Sequence, residues 1–173
     1  MKKRTSAAIL METLKELMRQ RDFRSITVAD ILEASGLARA TFYKHFTDKY
    51  ALLAAIFHEE LVRPNFSDYS LPVGERETEA IRLLLQDRAF YLNAVKEPTF
   101  LDLWYEQAYR TTREYLLRYG LSEDDLHFLT TVMAAAFLRI NIDCLKRNSL
   151  TDADRIGKQF ERLIQGYVSP ACC

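Results

Sequence analysis

The chain has 173 residues, 49% hydrophobic and 28% charged, which is enough apolar material for a packed core and excludes a disordered segment. Its 24 basic and 24 acidic side chains cancel, yet residues 1–50 hold ten basic against six acidic groups and the rest holds fourteen against eighteen. Only the N-terminal part is therefore suited to a polyanion partner.

With five glycines and four prolines, the chain reads as all-α. The opening "MKKRTSAAILMETLKELMRQRDF" starts basic, but Glu12, Lys15 and Glu16 interrupt its apolar positions, so it does not read as a secretion leader. No run is expected to reach a membrane span. A reduced cytoplasmic protein is expected, with Cys144 in the core and Cys172 and Cys173 at a frayed end.

Leu10, Leu14, Leu17 and Met18 recur at helical spacing and predict an amphipathic first helix over 5–21. In "TVADILEA", Thr27 and Asp30 are spaced as a capping box opening a second helix, with Val28, Ile31 and Leu32 inward. Gly36 ends it by supplying a tight turn. A short third helix follows from about Ala38 to His45, and Thr47 or Asp48 caps a fourth near Lys49. A supporting helix followed by two short helices around a glycine turn is the helix-turn-helix pattern.

"RPNFSDYSLPVG", residues 63–74, reads as a loop. Helical periodicity resumes from Glu75 to Val95, and a further helix runs from Pro98 toward Gly120. Ser122 and Asp125 are spaced as a second capping box, opening a helix to Arg147 that is apolar on nearly every side. Thr151 and Asp154 open the last helix. A helix apolar all round needs apolar neighbours all round, so a second copy of the chain is expected against Phe137, Ile140, Ile156, Phe160, Leu163, Ile164 and Tyr167.

Within "GLARATFYKHFTDKYALL", Phe42 and Phe46 stand four apart and point to the core, leaving Ala38, Arg39, Ala40, Thr41 and Tyr43 outward. Small residues flanked by phosphate-holding groups suit a helix that enters the major groove. Arg39 can donate a bidentate pair to guanine, and Thr41 can meet a thymine methyl. Tyr43, Lys44 and His45 can reach the sugar–phosphate backbone. Lys49 and Thr27 stand at helix N-termini where a phosphate could dock, and Arg4 precedes the first helix within reach of a phosphate or the minor groove.

These residues, "TVADILEASGL" and then "ARATFYKHFTDKYALL", resemble the TetR family of bacterial transcriptional regulators over about residues 7–57. The resemblance implies an all-helical homodimer on a palindromic operator, with residues 1–48 as the DNA-binding domain and 49–173 as a larger effector-binding and dimerisation domain. It maps Thr27, Arg39, Thr41, Tyr43, His45 and Lys49 onto DNA-contacting positions, and implies a regulator, expected to be a repressor, modulated by a small organic ligand. Ala38 departs from the pattern, since many members carry a polar phosphate-bonding residue there.

An effector pocket is expected among Tyr91, Trp104, Tyr105, Tyr109, Met133 and Phe137, with His58, His127 and Asn141 as polar groups. The fourth helix, at Phe57 and His58, is expected to couple pocket to DNA. No cofactor or metal is expected: His45, His58 and His127 have no ligand spacing. An enzyme is not expected, for lack of a phosphate loop or nucleophile elbow. The alternative function is a helical protein-interaction module or co-activator with no DNA binding of its own.

Overall fold

The structure, a computed structural model, describes residues 4–66, 71–148 and 152–168. Regular structure among the described residues is helical throughout. The expectations for Thr151, Cys172 and Cys173 lie outside those residues.

α1, Ser6–Gln20, is capped by Thr5, whose hydroxyl accepts from the Ala8 amide at 3.2 Å. It buries Leu10, Leu14 and Met18. A 3-10 turn, Phe23–Ser25, leads to α2, Val28–Ser35. The capping box forms: Thr27 Oγ1 accepts from the Asp30 amide at 3.2 Å, and the Thr27 amide donates to Asp30 Oδ2 at 2.7 Å. Gly36 stops the helix at φ +66°, where a Cβ would be strained. α3, Arg39–His45, buries Phe42 completely against Leu10, Leu14, Phe23, Ile26 and Ile31. Burying such a side chain contributes roughly 1.5–3 kcal/mol.

α4, Lys49–Phe57, is capped by Asp48, which accepts from the Ala51 amide at 2.8 Å. The loop expected from Arg63 begins later. A π-helical turn, His58–Val62, carries the helix into α5, Arg63–Phe66. The Arg63 amide bonds back to the His58 carbonyl, five residues earlier. That wider turn relieves the clash a proline ring makes in an α-helix, and so admits Pro64.

The single helix expected over 75–95 is two: α6, Val73–Gln86, and α7, Arg88–Ala94, broken at Asp87. α8, Pro98–Leu116, has its proline in the first turn, where no amide is needed, and tightens through Leu117–Tyr119 to Gly120 at φ +63°. α9, Glu123–Arg147, starts on Ser122 and ends at Asn148, also left-handed. α10, Ala153–Val168, closes the described chain.

Two apolar clusters hold the helices together. One runs from Leu10 and Phe42 through Phe57, Phe90, Phe100 and Trp104 to Leu145; the other gathers Ile81, Tyr115, Leu126, Met133, Phe137, Phe160 and Ile164. α10 crosses α6 at backbone contact: a Cβ on Gly74 would stand 2.4 Å from the Gly157 carbonyl oxygen.

Two sequence expectations are corrected here. By length and composition α9 is apolar enough to cross a membrane, contrary to the reading that no run reaches a span. Its Leu126, Leu129, Met133, Phe137 and Leu145 are buried within the chain's own clusters. The dimer stripe is also redrawn. Ile156, Phe160 and Ile164 turn inward onto α6, and the Phe137 ring lies 4.1 Å from that of Phe160. Ile140 is half-buried. Leu163 and Tyr167 remain exposed at 52% and 41%, joined by Phe128 at 58% and Val132 at 42%. Helical spacing shows that a face is apolar and not which neighbour covers it.

Candidate nucleic-acid interface

α3 stands on Phe42 and presents Arg39, Ala40, Tyr43, Lys44 and His45 outward, with Thr41 half-buried. Tyr43 is 47% exposed. The Arg39 guanidinium lies 5.3 Å from its ring centre, and Arg39 Nη2 donates to the phenol oxygen at 3.4 Å. The stack holds a planar fork donor and an aromatic ring side by side on the outer face. Ala38, at the N-cap, makes no side-chain bond, so first-turn amides of α3 remain for an outside acceptor. Arg4 is exposed ahead of α1.

Thr27 and Lys49 are placed differently from expectation. Thr27 Oγ1 donates to Asp30 Oδ2 at 2.6 Å, and with the Thr27 amide it holds that carboxyl down to about 2. Arg21 adds an ion pair at 3.3 Å. A carboxylate thus already occupies the N-terminus of α2, and Thr27 sets the helix start rather than offering a vacant phosphate seat.

Lys49 turns inward. Its Nζ donates to the carbonyls of Ile26 at 2.7 Å, Phe23 at 2.8 Å and Arg24 at 3.3 Å, beside the Phe23 ring. Burial lowers its pKa, against the pull of Glu97, Asp22 and Asp30. These three bonds hold the ammonium on the turn that enters α2.

Residues 10–56 match the family of bacterial regulatory proteins described as the tetR family. The whole described fold superposes on a TetR transcriptional regulator from Rhodococcus sp. RHA1, with 19% identity, TM-score 0.62, and 93% of this chain and 97% of that one covered. The match places residues 10–56 in the N-terminal domain of the TetR family, and the described chain shares the fold of TetR regulators. A dihydroxyacetone kinase operon activator, DhaS, shares the fold at TM-score 0.73 and 19% identity, over 94% of this chain and 95% of that one. In sequence, 64 residues are 36% identical to the dhaKLM operon transcriptional activator DhaS of Lactococcus lactis. That match spans 35% of this chain and 34% of the relative, about a third of either. The family is one of regulators, not enzymes.

A small cavity of about 30 Å³ lies between α4, α6, α8 and α9. Of the pocket residues expected from sequence, Trp104, Phe137 and Asn141 line it. His58 is exposed, Met133 is sealed in the second cluster, and Tyr91 lies in the first. Tyr105 and Tyr109 lie half-buried along α8, where the Tyr109 hydroxyl meets His127 Nδ1 at 2.9 Å. His58, Tyr91, Tyr105, Tyr109, His127 and Met133 do not line this cavity.

Arg76 and Glu77 were missed. Glu77 sits on the buried stripe Val73–Glu77–Ala80–Ile81–Leu84 of α6, and a carboxylate at a stripe position was the available signal. Asn141 Nδ2 donates to Glu77 Oε1 at 2.7 Å. Burial pushes the Glu77 carboxyl up to about 8, against that bond and the nearby Arg76 charge. Arg76 lies 4.9 Å from the Tyr115 ring centre.

A second polar centre joins the two parts of the chain. Asp87 pairs with Lys15 at 3.0 Å and takes two bonds from Arg19, at 2.9 and 2.5 Å; Lys15 also reaches Glu60 at 2.6 Å. The neighbouring Arg88 caps the end of α9, donating to the carbonyls of Leu145 at 2.7 Å and Lys146 at 3.1 Å.

Proposed function

We propose that this TetR-family regulator binds a palindromic operator as a homodimer, residues 1–48 docking α3 in the major groove of each half-site. The observation that carries the reading is the exposed Arg39–Tyr43 stack on a helix otherwise fronted by alanines. Arg39 is suited to a guanine edge, and Tyr43, Lys44, His45 and Arg4 to phosphates. Phe128, Val132, Leu163 and Tyr167 support a four-helix interface between two copies, which must hold the two recognition helices roughly 34–36 Å apart. The cavity beside Trp104 supports a small-molecule effector acting in the cytoplasm by shifting that spacing.

Repression was the expectation from sequence. The matched Lactococcus lactis relative is an activator, whereas a TetR-fold neighbour from Dietzia, AlkX, is a repressor. Both signs therefore occur on this fold, and operator position relative to the promoter sets the outcome.

The test is fluorescence-anisotropy binding to DNA flanking the protein's own gene, across a salt series, for wild type and Tyr43→Ala. Steep salt dependence, with at least about 1 kcal/mol lost in the variant, is the expected result. Absence of binding at low salt would return the helix-turn-helix to the protein-interaction alternative.

A further inference from the structure

Phe42, fully buried, fixes which side of α3 meets the core. Two residues before or after it the helix has turned about 200°. Ala40 and Lys44 therefore stand opposite the anchor, and both are exposed. Arg39 and Tyr43 share one flank, where the guanidinium lies 5.3 Å from the ring centre. One Nη2–H of Arg39 donates to the Tyr43 hydroxyl at 3.4 Å, and the guanidinium has further N–H donors for a base edge. Lys44 carries its charge outward on a flexible stem toward the phosphates. The group left at the outermost point of α3 is the Ala40 methyl.

What this face lacks narrows what it can read. Adenine is read best by a carboxamide, and the cytosine amino group by a carboxylate. α3, with the residues RATFYKH, has neither. It offers a fork of donors at Arg39 and an apolar methyl at Ala40. In the major groove the first matches the paired acceptors of guanine, O6 and N7, and the second matches the C5-methyl of thymine. Successive helix residues rise only about 1.5 Å, less than one base-pair step of about 3.4 Å. A G·C pair has no methyl, so the two readings fall on adjoining pairs.

We propose that Ala40 is a specificity-determining residue that packs on the methyl of a thymine adjoining the guanine held by Arg39, so that each half-site carries a G·C pair beside an A·T pair. The inference rests on the operator reading above and names the bases at its centre. Tyr43 holds the Arg39 fork to one flank of α3, so the two pairs stand in the same order in every half-site.

The experiment selects binding sites for the full chain from a randomised duplex pool. Anisotropy on the selected operator, at one salt concentration, then follows single base replacements. Uracil for thymine removes only the methyl, and 7-deazaguanine for guanine removes only the N7 acceptor. In wild type, uracil at the adjoining thymine is expected to weaken binding roughly fourfold per half-site, as for one carbon returned to water. With both half-sites replaced the loss is on the order of fifteenfold, if the two act independently. 7-Deazaguanine is expected to weaken binding roughly fivefold or more per half-site. Ala40→Gly is expected to erase the difference between thymine and uracil at that position and to keep the 7-deazaguanine loss. Each comparison is made within one protein, so a change in folding cancels. Three results would overturn the proposal: selected half-sites without a guanine–thymine neighbour pair in constant order, wild-type affinity indifferent to uracil at every thymine, or the same uracil penalty in Ala40→Gly. No DNA bound from the pool at low salt would instead refute the operator reading, and this proposal with it.

Discussion

Lys49→Met tests whether the first residue of α4 serves the protein or the DNA. The substitution keeps an unbranched side chain of similar reach and removes only the ammonium. Three carbonyls then lose the ammonium, those of Ile26, Phe23 and Arg24, now bonded at 2.7, 2.8 and 3.3 Å, and of these Phe23 keeps the Ile26 amide as a donor. A hydrogen bond to a charged group contributes about 1.5–3 kcal/mol. Water replaces part of that on the outer, Arg24 side, and the ammonium's own desolvation, which lowers its pKa, offsets more. A net loss of about 2 kcal/mol remains, which at a urea slope of roughly 1–3 kcal/mol/M moves the unfolding midpoint down by about 1 M. Operator affinity falls only through the misplaced turn before α2, so the slope of log K against log salt stays that of wild type. A lysine that neutralised a phosphate would behave oppositely: the midpoint would hold, and the slope would become shallower by about 0.9. Urea melts and salt-series anisotropy on one preparation distinguish the two, and the second pattern would refute the clamp.

Three further outcomes follow from the same geometry. Glu77 has its carboxyl raised to about 8 by burial, so the folded chain holds a proton that the unfolded chain releases near pH 4–5. This penalty on folding is absent below the unfolded pKa and grows up to pH 8, with a slope of up to about 1.4 kcal/mol per pH unit. Glu77→Gln keeps the acceptor for Asn141 and should flatten that fall in urea midpoints measured from pH 5 to 8. Gly157→Ala should destabilise by about 3 kcal/mol, at the upper end for overpacking, because its Cβ would stand 2.2 Å from the Gly74 carbonyl oxygen; calorimetry reads the loss. Leu163→Glu, on a side chain 52% exposed, should leave the helical content intact and shift sedimentation to monomer; an unchanged dimer would move the interface off α10.

The local features of the fold were legible because their causes are local. Thr27 and Asp30 lie three apart, and their reciprocal bonds need only each other. Gly36 marks its turn by lacking a Cβ, and the Leu10–Leu14–Met18 stripe gives the buried face of α1. What was misread depends on distant partners. The break at Asp87 is fixed by Lys15 and Arg19, some seventy residues earlier. Pro64 looked like a loop because a proline usually ends a helix, and the π turn that accommodates it has no signature in residue types. For Lys49 the resemblance to the family gives a position and not the carbonyls of Phe23, Arg24 and Ile26 around it. Arg39, Tyr43 and His45 were placed correctly on the outer face because Phe42 anchors α3, and the remaining positions follow from the helical period.

The connection between cavity and α3 is better founded on α6 than on the fourth helix alone. Phe57 does reach the cavity, its ring 5.3 Å from Phe100 and 5.9 Å from Trp104, but His58 is exposed and faces nothing there. α6 carries Arg76 and Glu77 at the cavity and ends ten residues later at Asp87, which holds Lys15 and Arg19 of α1. The next residue, Arg88, holds the end of α9, and Asn93 on α7 donates to the Met18 carbonyl at 2.7 Å. A displacement of α6 therefore cannot stay local. Through one pair of adjacent side chains it acts on α1, which supports α3, and on α9, which carries part of the exposed apolar stripe. In the proposed dimer on its operator, the same pair would make operator geometry and subunit geometry depend on a single helix end.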